Sequence, residues 1–140
     1  MTITRRLPSL LFVAFVALPV GAAFADDLKP MDPNGGVDPD LLKAFYGPWV
    51  ISNQAGDKTC KVDLKDEPTI GGSVIDVDPG CAKVFPVMDN IAAWRLMEGW
   101  GIDLVDATKK TVIRFTTPDA EYVADPEIDG IFTIMQPGAE

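Results

Sequence analysis

A chain of 140 residues with 12 basic and 21 acidic side chains, two cysteines and no histidine has room for one small domain. Its formal charge of −9 repels phosphate backbones and anionic lipid, which argues against nucleic acid and membrane surfaces as partners and leaves a neutral or basic protein partner open. Histidine, the usual general base, is missing, and no Gly-x-Ser-x-Gly elbow, phosphate loop or helix-borne metal pair occurs, so an enzyme is not expected.

Met1 to Ala25 reads as a secretory signal. Arg5-Arg6 supply the positive start, Leu7 to Val20 the apolar stretch, and Ala23-Phe24-Ala25 the small-x-small cleavage pattern. A membrane anchor is the competing reading, but Pro8 and Pro19 interrupt a stretch already shorter than the roughly 20 residues of a spanning helix. The surroundings of Arg5-Arg6 fit a twin-arginine signal poorly. No cysteine follows the apolar stretch to receive a lipid, so the mature chain is expected to carry no membrane anchor and to be periplasmic or secreted. Cleavage before Asp26 removes two of the 12 basic residues and none of the 21 acids, which leaves a formal charge of −11.

Three segments are therefore expected: a signal over 1–25, an arm over 26–37 and a domain over 38–140. The arm, Asp-Asp-Leu-Lys-Pro-Met-Asp-Pro-Asn-Gly-Gly-Val, has neither hydrophobic period and should be extended and flexible. Asp38 before Pro39 is an N-cap followed by proline at the first helical position. Leu41, Leu42 and Phe45 then share one face of a helix of about two turns, which Gly47-Pro48 ends.

Beyond it, short β-branched and aromatic runs alternate with turn residues. Strands are predicted over 49–54, 59–65, 73–77, 92–97, 101–105, 111–116, 121–124 and 131–136. Cys60, Val62 and Leu64 fall on one face and Lys61, Asp63 and Lys65 on the other; Trp100, Ile102 and Leu104 alternate with Gly101 and Asp103. Turns are predicted at 54–57, 98–99, 106–109 and 125–130. The even spacing predicts an all-β fold, a small eight-stranded antiparallel up-and-down barrel of lipocalin-like form whose closure removes exposed edges, with a β-sandwich as the alternative. Strands this short enclose an interior that large side chains can fill.

Cys60 and Cys81 are an even pair that the signal would deliver to an oxidising compartment, so a disulfide is expected. Two free thiols, or part of a metal site completed by carboxylates, are the competing readings. The acid pairs Asp76 with Asp78 and Asp103 with Asp106 could serve a glycosidase or hold calcium, but in so acidic a chain they read as solvated charge. No cofactor and no metal of its own are expected. Trp49 and Trp94 read as core or barrel-closing aromatics, and Gly47-Pro48-Trp49 matches the Gly-x-Trp triplet that opens lipocalin-type barrels.

The ordered set Gly47-Pro48-Trp49-Val50-Ile51, Cys60-Lys61-Val62-Asp63-Leu64, Cys81, Trp94-Arg95, Gly101-Ile102-Asp103-Leu104 with Asp106, Phe115 and Tyr122 resembles the bacterial Inh family over about residues 39–136. This family comprises periplasmic inhibitors of serralysin-type secreted zinc metalloproteases and a related outer-membrane lipoprotein domain. The resemblance implies a compact eight-stranded barrel with one disulfide and a monomer whose partner is a secreted zinc metalloprotease. It further implies that the mature N-terminus, Asp26-Asp27-Leu28-Lys29-Pro30, enters the protease cleft and approaches the catalytic zinc. A free, deprotonated α-amine created by signal cleavage is a suitable zinc ligand. Met31 to Gly36 reads as an insertion relative to the shortest inhibitors. A lipocalin-like binder of a small apolar ligand and a non-inhibitory envelope interaction domain are the alternatives.

Overall fold

Alternating apolar and polar residues give each strand one face that must leave water, and eight such strands satisfy this by closing on themselves. A computed structural model describes residues 28–32 and 35–138, so the expected signal, Asp26 and Asp27 lie outside the described residues. The strands are β1 (Gly47–Ser52), β2 (Thr59–Thr69), β3 (Gly72–Val77), β4 (Ala93–Leu96), β5 (Ile102–Val105), β6 (Thr111–Thr116), β7 (Tyr122–Ile128) and β8 (Ile131–Met135). They form a closed antiparallel barrel in which each strand pairs with its chain neighbours and β8 returns to β1. The seam is drawn by Ile51 opposite Ile134 and by a buried hydroxyl pair, Ser52 Oγ and Thr133 Oγ1, 3.2 Å apart.

The interior is occupied by side chains. Ile51, Leu64, Ile102, Leu104, Phe115 and Ile134 have no solvent exposure, and they join one continuous apolar cluster. On β2, Cys60, Val62 and Leu64 are buried while Lys61 between them is exposed, as the alternation predicts.

Helix α1 (Pro39–Lys43) is shorter than the two turns expected. Asp38 caps it by accepting from the Asp40 N–H at 2.9 Å. Leu42 and Phe45 pack on the core, but Leu41 is 51% exposed, which corrects its assignment to the buried face: five residues present too narrow a stripe to bury both leucines. Between β3 and β4 the chain forms a second short helix, α2 (Cys81–Val84), and a 3-10 turn over Pro86–Asn90 that the pattern of residues did not predict. This connection is held at two points. A disulfide joins Cys60 on β2 to Cys81, and the Val87 N–H donates to Asp129 Oδ2 in the β7–β8 turn at 2.9 Å. Phe85 and Met88, both buried, fill the end of the core beneath it.

Two hairpins also differ from expectation. Strand β7 runs on through Asp125-Pro126-Glu127 to Ile128, and the β7–β8 turn is only Asp129-Gly130, with φ of 55° and 79°. Such a pair of positive φ values matches the right-handed twist of the flanking strands. Strand β2 extends to Thr69 and its register with β3 shifts between Leu64 and Pro68. At the tip of the β2–β3 hairpin Gly72 passes so close to the Trp94 carbonyl oxygen that a Cβ would overlap it, and a Cβ on Gly71 would touch Val105 and Lys109.

Candidate functional site: an N-terminal strap at one end of the barrel

Strand β3 meets β4 at a single register pair, Ser73 with Trp94. The edge of β4 beyond Trp94 would therefore be left without a partner. Residues Lys29 to Met31 supply one. Met31 N–H donates to Leu96 O at 2.8 Å, Glu98 N–H donates to Lys29 O at 2.8 Å, and Pro30 stands opposite Met97 in an antiparallel bridge. The flanking bonds make Pro30 and Met97 the non-hydrogen-bonded pair of this short ladder. Pro30 lacks an N–H, and at this position the N–H would have pointed away from β4, so proline fits without loss. Met31 is half-buried against the core, Leu28 is half-buried, and Lys29 and Pro30 are exposed. The arm is extended, as expected, but it is a strap on the barrel wall over these residues.

The strap's direction follows from the antiparallel pairing. Toward its N-terminus it passes Glu98 and heads for the β4–β5 turn, Met97 to Gly101. That turn is closed by Met97 N–H to Gly101 O at 2.7 Å and Trp100 N–H to Met97 O at 2.9 Å. Trp100 takes φ of 67°, unusual for an aromatic residue. Its ring stacks on Phe45 with centroids 5.8 Å apart and planes 4° from parallel. Phe45 also faces Trp49 and Tyr122, at 6.3 Å and 6.4 Å. Tyr122 O–H donates to the Trp100 carbonyl at 2.9 Å, and burial pushes its phenol up to about 12. This aromatic group makes a firm end of the barrel beside the strap.

The two predicted tryptophans sit in different places. Trp49 is buried under Phe45 and Tyr122, and its indole N–H donates to Phe45 O at 2.8 Å. Trp94 is buried beside Tyr46, edge to face at 6.1 Å, and its indole N–H donates to Lys65 O at 3.0 Å. Between strap, α1 and the β2–β3 hairpin runs a groove whose walls include Met31, Leu42, Tyr46, Pro68, Trp94 and Leu96. Burial, and then the negative charge of Asp66, raise the Tyr46 phenol.

The acid pairs do not form an acid–base site. Asp103 is wholly buried and saturated: Arg114 donates from Nε and a terminal nitrogen, each at 2.8 Å, and Thr111 Oγ1 donates at 2.8 Å. The Arg95 Nε is 3.9 Å away. The expected solvated state of Asp103 is corrected: Arg95, Thr111 and Arg114 from the neighbouring strands close over the carboxylate. Asp106 instead closes the β5–β6 turn, accepting from Thr108 N–H, Thr108 O–H and Lys110 N–H, and these bonds hold its carboxyl below the usual range. Among the described residues no three metal-ligating side chains come together.

Of the five arm residues singled out in the sequence, Lys29 and Pro30 pair with the segment that continues β4, Leu28 is half-buried, and Asp26 and Asp27 are outside the described residues. Missed were Met31 and the docking edge Leu96–Glu98. A three-residue ladder has too few positions to show alternation. The Phe45–Trp100 stack was also missed, although Phe45 already marked the apolar side of α1.

A closed barrel with a filled interior, a strap along one strand and an aromatic end defines a small protein that meets other molecules with its outer surface. The chain belongs to the protease inhibitor Inh family, whose model matches residues 41–135. No curated protein matches it. The matched span runs from α1 to the end of β8 and leaves the strap outside it.

Proposed function

We propose that the protein inhibits a serralysin-type zinc metalloprotease without being an enzyme itself, and that the mature N-terminus, Asp26-Asp27-Leu28-Lys29-Pro30, is what enters the protease cleft. In this reading signal cleavage before Asp26 in the envelope or on export creates the free α-amine that approaches the partner's zinc. Family membership supports a protease as the partner. The observation that carries the arm is the pairing of Lys29–Met31 with Leu96–Glu98: the strap runs antiparallel to β4, so its N-terminal side points toward the β4–β5 turn. The filled interior gives the apolar-ligand reading no such support.

Titration of the mature protein, starting at Asp26, into such a protease tests this. Residual peptidase activity should fall to an end point near one equivalent, and a protein starting at Val37 should have no effect. Unchanged activity at large molar excess would refute the reading; full inhibition by the shortened protein would refute the arm.

A further inference from the structure

We infer that a second copy of this chain docks on the groove beside the β2–β3 hairpin, each copy placing its hairpin tip in the groove of the other. This goes beyond the inhibitor reading, does not rest on it, and replaces the monomer that the family resemblance implies.

Three observations carry it. The first is a knob. Every residue from Asp66 to Ile70 is exposed, and at the tip Ile70 is 70% exposed, so a partner that covers it removes a large apolar side chain from water. Gly72, packed against the Trp94 carbonyl oxygen, holds the tip in place.

The second is a hole next to the knob. The groove, of about 620 Å³, has Leu42, Tyr46, Trp94 and Leu96 in its walls. Among the described residues, the large apolar side chains left exposed are Leu41 and Ile70. Each is the chain neighbour of a groove residue, Leu42 and Gly71. Apolar surface gathered in this way marks a contact with another molecule.

The third is charge. The hairpin carries Glu67 beside the knob, and the groove holds Arg95 and Lys109 together with Asp66. Neither Glu67 nor Lys109 takes part in an ion pair among the described residues. In a chain with 21 acids and 12 bases, a groove with two cations suits the acidic, apolar hairpin of another copy, and the charges fix how it seats. The hairpin is also one wall of the groove, through Pro68, Gly71 and Gly72. Knob and hole therefore lie side by side, and one twofold axis satisfies both contacts and closes the pair. The net negative charge of both copies opposes their approach, which keeps the association dependent on concentration.

Sedimentation equilibrium of the mature protein tests this. The weight-average mass should rise from one chain toward two as concentration increases to about 1 mM. A one-chain mass throughout overturns the second copy in favour of a different occupant, and growth past two chains overturns the twofold axis. Ile70→Asp should stay at one chain; a dimer formed by this variant overturns the knob. Glu67→Lys and Lys109→Glu should each move the midpoint to an at least about tenfold higher concentration. An equimolar mixture of the two should return to the wild-type midpoint, because residue 67 of each copy then faces the opposite charge at residue 109 of the other. Recovery on mixing also shows that both variants are folded. A mixture that associates no better than its components overturns the pairing of hairpin with groove.

Discussion

Asp103 carries its charge with no solvent contact, and that is tolerable only because arginines flank it on both sides across the strands, Arg95 on β4 and Arg114 on β6. Removing one member of such a buried set leaves the other charges uncompensated, typically at a cost of 3–5 kcal/mol. Asp103→Asn should therefore lower the unfolding free energy by about 3 kcal/mol in urea at neutral pH; a loss below about 1 kcal/mol would show that the arginines find water instead. Tyr122 makes a second residue-scale prediction. Its phenol is raised to about 12 by burial, from an ordinary value near 10, so the folded state favours the neutral form. The resulting stability is fully present below about pH 10 and is lost as pH rises toward 12. Absorbance titration should show one of the two tyrosines ionising about two units late, and Tyr122→Phe should abolish that step.

At the level of elements, the disulfide holds a segment that has little structure of its own. The Cys60–Cys81 bridge spans 21 residues and anchors α2, which is too short to persist alone. Opening a loop of that size should cost about 3 kcal/mol, read as a lower urea midpoint for Cys81→Ser; equal midpoints with and without reductant would contradict it. The strands were legible in the sequence because each exposes a two-residue period between turn residues: Cys60-Lys61-Val62-Asp63-Leu64 needs no tertiary knowledge to be placed. Asp103 was assigned to the correct face by the same rule and to the wrong environment, because alternation reports which side of a sheet a residue takes and not what later folds over that side. Here Arg95, Thr111 and Arg114 do so, from the strands on either side. The α2 segment escaped notice for a related reason: Cys81 to Val84 is a single turn, shorter than one helical repeat of apolar positions.

For the whole molecule, the family match from 41 to 135 coincides with the closed barrel, and the strap adds to it without completing it. Removal of residues before Val37 should then lower stability by no more than about 2 kcal/mol, mainly through exposure of Leu96 and loss of Met31 packing. A cooperative thermal transition preserved in the shortened protein checks this, and an unfolded product would show the strap to be part of the barrel. The strong negative charge surrounds this architecture without dictating it, and its bearing is on which partners can approach.

The antiparallel strap has a mechanical side. A partner that grips the first residues and draws away along β4 pulls on the bonds at Leu96 and Glu98 lengthwise and together, as in shear, whereas a sideways pull would unzip them one after the other. Resistance to dissociation should accordingly depend on the direction of the load: high along the strand, low across it.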